Sequence, residues 1–248
     1  MGGRLNEDDL TRLETTLRRQ WDRVRNWVGD LDEARGREPS VLPEWTVAEL
    51  VAHLGRAMDA LTAAGPAPDL TPLTLAEYLG TYPDRAAEIA ARSRAIAEEI
   101  RADPLGAVDA TAEAAFAHLT ELRRVAASIP GAESADIVVQ ARRGPILLSE
   151  MMLSRLIELV VHGDDLHRSL PRTLDDPLDP EAVDLVAVTL LEVLTDRGGW
   201  DLEVVDPLAW IRLATGRVPF GMDTVSAALR TRWTSDSLPD LGTRLPLL

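Results

Sequence analysis

The sequence predicts a mainly α protein: an up-and-down bundle of four main helices over about residues 5–170, with a small α+β appendage behind it. Three observations lead there. Long stretches carry apolar residues at three- and four-residue spacing, recognisable cap residues open several of them, and Trp200–Val205 alone alternates clearly in the manner of a strand.

From Glu7 to Leu31, Leu10, Leu13, Leu17, Trp21, Val24, Trp27 or Val28, and Leu31 recur near a heptad rhythm, so one long amphipathic helix is expected, capped by Asn6. Gly, Pro and Ser make Arg35–Pro43 a loop. Thr46-Val47-Ala48-Glu49 is a capping box, and the stripe Val47, Leu50, Leu54, Met58, Leu61 carries its helix to about Leu61. Three prolines make Ala63–Thr74 a loop. A third helical stretch follows from Leu75 to about Ala102, broken or kinked early by Pro83. Leu105–Ile129 continues in helix, Pro130–Gly144 reads as irregular with Ile137-Val138-Val139 extended, and Ile146–Leu170 is a strong helix. Dense Pro and Asp over residues 171–180 mark a linker between a first domain, 1–170, and a C-terminal region, 181–248. There Glu181–Thr195 is a helix, Trp200–Val205 a strand, and Asp206-Pro207 an N-cap with proline at the first helical position. A lone strand cannot satisfy its backbone groups, so it must pair with a segment of about Arg217–Leu248 or with another chain; the first is expected, because Val218-Pro219-Phe220 and the Leu-rich end supply apolar partners.

Composition narrows the chemistry. With 248 residues, 46% hydrophobic and 27% charged, the chain has the make-up of a folded protein. A formal charge of −15 would repel a nucleic-acid backbone or an anionic membrane, and a small-molecule substrate is the expected partner. All 26 basic residues are arginine, so lysine chemistry is excluded. The absence of cysteine excludes disulfides, a protein thiolate nucleophile and cysteine-bound metal. No apolar run approaches the roughly 18 residues of a membrane span, and Met1–Asp9 does not read as a signal peptide. The cytoplasm is the expected compartment, with a monomer or homodimer as the expected state.

Glu158 and His162 stand four apart on one helix face, with Asp165 three further on. Alone, such a pair is equally a solvated face or an ion pair. His53 sits beside the apolar stripe of its helix, among Leu50, Ala57 and Ala60, where an imidazole is either a satisfied core group or a ligand. Together His53, Glu158 and His162 would supply the two-histidine, one-carboxylate set that zinc or a similar divalent ion accepts, with Asp165 orienting an imidazole. His118 and His167 are single imidazoles with weaker claims. Arg142 and Arg143, before Gly144, and Arg217 are candidates to hold carboxylates of a cofactor or substrate, the alternative being ordinary surface arginines.

Leu42-Pro43-Glu44-Trp45-Thr46-Val47-Ala48-Glu49-Leu50-Val51-Ala52-His53-Leu54 and Arg155-Leu156-Ile157-Glu158-Leu159-Val160-Val161-His162-Gly163-Asp164-Asp165-Leu166 resemble the two signature helices of the mycothiol-dependent maleylpyruvate isomerase family, within the DinB-like superfamily. The resemblance spans about residues 5–170. It implies a DinB-like four-helix bundle that binds a divalent metal, usually zinc, through His53, Glu158 and His162, and a mycothiol cofactor whose thiol is the nucleophile. Asp164 departs from relatives of the isomerase type, many of which carry an aromatic residue after the His-Gly pair. The stretch from Asp206 to Arg217 and the ending from Asp240-Leu241 to Leu245-Pro246-Leu247-Leu248 resemble the close of a sterol-carrier-like domain that often follows this bundle in actinobacterial proteins. Here that domain is reduced to a cap, from which Arg217 is expected to face the metal cavity. Two functions remain open: a metal- and thiol-dependent transferase or isomerase, and a non-catalytic small-molecule or lipid-binding protein whose metal is structural or absent. Three protein ligands leave a coordination position free, which favours catalysis.

Overall fold

In a computed structural model of the chain, residues 4–81, 86–128, 136–170, 175–198, 200–233 and 239–247 are described. The chain divides into two compact units, Gly2–Asp179 and Pro180–Leu248.

Helix α1 (Glu7–Gly29) opens on Asn6, whose side chain accepts the Asp9 N–H, and buries Leu10, Leu13, Leu17, Trp21, Val24, Trp27 and Val28. A short helix, α2 (Glu33–Gly36), enters the stretch the sequence predicts as loop. Its single turn hangs on Asp32, which accepts the Arg35 N–H at 2.8 Å, and one turn is too short to show periodicity. Helix α3 (Val47–Thr62) starts at the predicted Thr46–Glu49 capping box. The predicted loop 63–74 contains a two-residue strand, β1 (Gly65–Pro66). Helices α4 (Leu75–Leu79) and α5 (Ala86–Glu99) lie in the third predicted helical stretch, and Pro83 falls outside the described residues. Helix α6 (Pro104–Ala127) is capped by Asp103 and has proline in its first turn.

β2 (Val138–Ala141), which overlaps the residues expected to be extended, and β3 (Gly144–Leu147), whose last two residues lie where the helix is expected to begin, form a hairpin. With β1 they make an antiparallel sheet in the order β1-β2-β3, Gly65 opposite Gln140 and Val139 opposite Ile146. Val138 and Val139 are both fully buried, so the in-out alternation that reveals a strand is missing. The hairpin leads into α7 (Leu148–Ser169), which has no local side-chain cap. Asp136 supplies one from across the hairpin. Its carboxylate, fully buried, accepts the Ser149 N–H at 2.9 Å and hydroxyl at 2.7 Å, and the Leu5 N–H at 3.0 Å.

The four long helices form the bundle: α1 packs on α6 and α7, and so does α3. Gly55 lets α3 approach α6, since a Cβ there would lie 2.9 Å from Val108 Cγ1. Gln20, fully buried on α1, donates to the Pro177 carbonyl and accepts the Asp179 N–H, both at 2.9 Å, pinning residues 177–179 to the first unit.

The second unit contains α8 (Pro180–Gly198), β4 (Leu202–Val204), α9 (Pro207–Ala214), α10 (Met222–Ala228) and β5 (Leu229–Thr231). β4 pairs antiparallel with β5, Leu202 opposite Thr231, so the strand finds its partner in the expected interval, although in neither of the apolar segments expected to supply it. Asp206 caps α9 ahead of Pro207 as predicted. Buried Trp210 anchors α9 on α8 by donating to the Ala187 carbonyl at 2.9 Å. The fold is mainly α, a four-helix bundle with a small α+β appendage.

Candidate metal centre

The bundle brings His53 of α3 against Glu158 and His162 of α7. Their ligand atoms all lie within 4.8 Å of one another. Glu158 Oε2 is 3.2 Å from His53 Nε2 and 3.4 Å from His162 Nε2, and the imidazoles meet edge to face with centroids 4.7 Å apart. The three side chains are 9%, 11% and 13% exposed, so the cluster is almost dry yet reachable.

Each imidazole is held from behind by its other nitrogen. His162 Nδ1 lies 3.0 Å from Asp165 Oδ2, a carboxylate with no exposure, three residues along α7. His53 Nδ1 lies 3.4 Å from the hydroxyl of Ser93, which α5 buries completely. Trp45 sets its indole edge-on to His53 at 5.6 Å. It is aimed there by a turn at Glu44, whose φ of 66° is the left-handed conformation rarely adopted by residues with a Cβ. Strain of that kind persists where surrounding structure over-determines it, and here the Trp45 carbonyl accepts from Ser40 N at 2.8 Å.

The electrostatics favour a cation. Burial pushes the His53 imidazole below its ordinary value, keeping it neutral and able to donate a lone pair. Burial opposes ionisation of Glu158, but hydrogen bonds from His162 and His53 overcome it, and the carboxyl is held well below its ordinary range. The buried Arg155 guanidinium, one turn earlier and donating to the Ala57 carbonyl at 3.1 Å, adds to that effect. Asp165, accepting only, places a proton on His162 Nδ1. Nε2 can then meet the Glu158 oxygen in two ways: with a second ring proton, which gives the hydrogen bond that holds Glu158 ionised, or with a lone pair, in which case two acceptors face each other and need a cation between them. Two imidazole nitrogens and one carboxylate oxygen, each steadied by a neighbour, fit a divalent metal.

The other candidates are not members of this cluster. Arg142 pairs with Asp59 at 2.6 Å at the tip of the hairpin, and Arg143 lies over the Tyr78 ring at 5.4 Å. Arg217 belongs to the second unit and donates to the Thr215 carbonyl at 2.8 Å. His118 is structural: Nε2 lies 2.6 Å from the Ala64 carbonyl, just past the end of α3. His167 lies half-buried near the end of α7 and is not in the cluster. Ser93 and Trp45 are contributors that sequence reasoning passes over. Trp45 sits inside the quoted motif, where packing is its default role, and nothing in the Ala- and Glu-rich run around Ser93 singles it out.

The chain matches the family described as the mycothiol maleylpyruvate isomerase N-terminal domain over residues 17–167. No curated protein matches its sequence. Among solved structures, the crystal structure of the mycothiol-dependent maleylpyruvate isomerase is 16% identical, with a TM-score of 0.56 over 95% of this chain and 98% of that one. A histidine-to-alanine mutant of the mycothiol-dependent maleylpyruvate isomerase matches with the same values. At that identity the likeness establishes the fold, while the domain match covers well over half of the sequence. This chain is therefore a member of the mycothiol maleylpyruvate isomerase family.

Proposed function

We propose that the protein is a metal-dependent enzyme that sets a low-molecular-weight thiol, mycothiol in the first instance, against an electrophilic small molecule, acting as an S-transferase or as an isomerase of the maleylpyruvate type. The observation that carries this reading is the three-donor cluster of His53, Glu158 and His162, with both rear nitrogens held. A divalent cation, zinc being our choice for this donor set, would supply Lewis acidity that lowers the pKa of a bound thiol and makes it a nucleophile at neutral pH. His53 and His162 would bind it through Nε2 and Glu158 through a carboxylate oxygen. Asp165 fixes the His162 ring and raises its basicity. The chain has no cysteine, so a thiol nucleophile must come from a small molecule. Arg142 and Arg143 are our candidates for the polar groups of that thiol, and Arg217 for a substrate carboxylate. We expect the protein in the cytoplasm, as a monomer or homodimer.

One feature supports a second reading, a non-catalytic small-molecule or lipid-binding protein with a structural or absent metal. Glu158 Oε2 already bridges both imidazoles, so the three residues hold one another without a cation. Cobalt substitution separates the two. A thiolate-to-metal absorption band on adding a thiol, abolished in His162→Ala, supports the enzyme. A cobalt spectrum indifferent to thiols supports the binder, and protein that takes up no stoichiometric metal removes the metal from both.

A further inference from the structure

Helix α5 is mostly exposed. Among its residues with described burial, only Ser93 is fully buried, at 0% exposure, while apolar neighbours such as Ile89 and Ile96 are half-buried. A helix laid on a bundle ordinarily puts an aliphatic group at its deepest point, because burying a hydroxyl costs free energy unless it is hydrogen-bonded. The hydroxyl faces His53 Nδ1, 3.4 Å away. On its other side, His53 Nε2 faces Glu158 Oε2 at 3.2 Å.

The two imidazoles thus have different rear partners. Asp165 can only accept, so His162 keeps a proton on Nδ1 whatever its Nε2 meets. Ser93 can both donate and accept. When His53 donates Nε2–H to Glu158, Nδ1 carries a lone pair and the serine O–H donates to it. When Nε2 gives its lone pair to a cation, the proton must sit on Nδ1, and the same oxygen accepts it. The serine proton then has an alternative acceptor in the carbonyl one turn back, as helical serines commonly do. An aliphatic residue at position 93 serves neither arrangement, and a carboxylate serves only the second.

We propose that Ser93 is a positioning residue for the cation site, its hydroxyl reversing from donor to acceptor as His53 Nε2 exchanges Glu158 for a metal. The proposal rests on the metal-site reading above. It makes α5 part of the metal centre, although that helix contributes no ligand to the cluster.

The test uses the full chain and zinc titrated against a competing chelator, comparing the natural protein with Ser93→Ala and with Ile96→Ala, which loosens α5 without touching the hydroxyl. Ser93→Ala is expected to weaken zinc binding about tenfold, the lower end of what loss of a group supporting a metal-bound histidine costs. Ile96→Ala is expected to bind within about twofold of the natural protein. Nitrogen NMR of the His53 ring is the second readout: the proton should lie on Nε2 in the metal-free protein and on Nδ1 in the zinc form, and in the Ser93→Ala zinc form the Nδ1 proton should exchange with water markedly faster. Unchanged affinity in Ser93→Ala, an equal loss in Ile96→Ala, or a His53 proton on the same nitrogen in both forms overturns the proposal. A natural protein that binds no zinc overturns the metal-site reading and this inference with it, whereas zinc binding indifferent to Ser93 overturns the inference alone.

Discussion

Behind His162 stands a buried carboxylate, and Asp165→Asn removes its charge while keeping an acceptor. Metal affinity is expected to fall about tenfold or more, measured by chelator competition, because the ring loses the anion that raises its basicity. His53→Ala should lower metal content far more than His118→Ala. The latter imidazole serves the Ala64 carbonyl, so its loss should appear in the melting temperature and not in the metal analysis. Acid has a signed effect on the metal-free protein. The folded His53 resists protonation relative to its ordinary value of 6.5, and the folded Glu158 relative to 4.5, so the unfolded chain binds more protons in both ranges. Stability should therefore decline as pH falls below about 6.5, the His53 contribution first and the Glu158 contribution as pH falls below 4.5 and through its depressed value. His53→Gln should flatten the upper part of that decline in denaturant titrations at a series of pH values. The three clustered residues were legible because a metal site would demand particular residue types at particular spacing, and His53 with the Glu158–His162 pair meets that demand. Ser93 was not, because one serine in an Ala-rich helix has no local signature and acquires its partner only when α5 docks.

At the scale of elements, the helices legible in sequence were those whose caps and stripes are local, as Asn6, Thr46 and Asp206 show. The start of α7 is the opposite case, since its cap comes from Asp136, 13 residues upstream of Ser149 and beyond the reach of a local rule. Asp136→Ala should cost about 1–3 kcal/mol in denaturant unfolding, because buried donors on Ser149 lose their acceptor. The pairing of the hairpin escaped for a related reason: in four-residue strands where consecutive residues such as Val138 and Val139 are both buried, no alternation marks the partner. Helix packing offers a test in which two effects oppose each other. Gly55→Ala gains up to about 1 kcal/mol in helix propensity, but the new methyl would meet Val108 Cγ1 at 2.9 Å. Val108 is β-branched and stiff in a helix, so α3 itself must shift, and overpacking of this kind costs about 1–3 kcal/mol. A net fall in melting temperature is expected, with weaker metal binding, because His53 stands two residues from the displaced contact.

For the whole molecule, the informative feature is where one unit ends and the other begins. Proline and aspartate density draws attention to residues 171–180, while Gln20 holds Pro177 and Asp179 from inside the first unit. Those contacts join positions 157 and 159 residues apart, a separation no reading of local composition spans. The Gln20 amide therefore sets a rule for dissecting and recombining the protein. A bundle cut short after Pro171 would leave a buried amide with neither its acceptor nor its donor and should fold poorly for reasons unrelated to the loss of the second unit. A fragment ending at Asp179 keeps both and is the appropriate one for asking what the second unit contributes. The same arithmetic governs chimeras: the junction for grafting a different C-terminal unit onto this bundle lies at Pro180, and a donor sequence joined upstream of it would have to bring its own equivalent of the short splint that Gln20 grips.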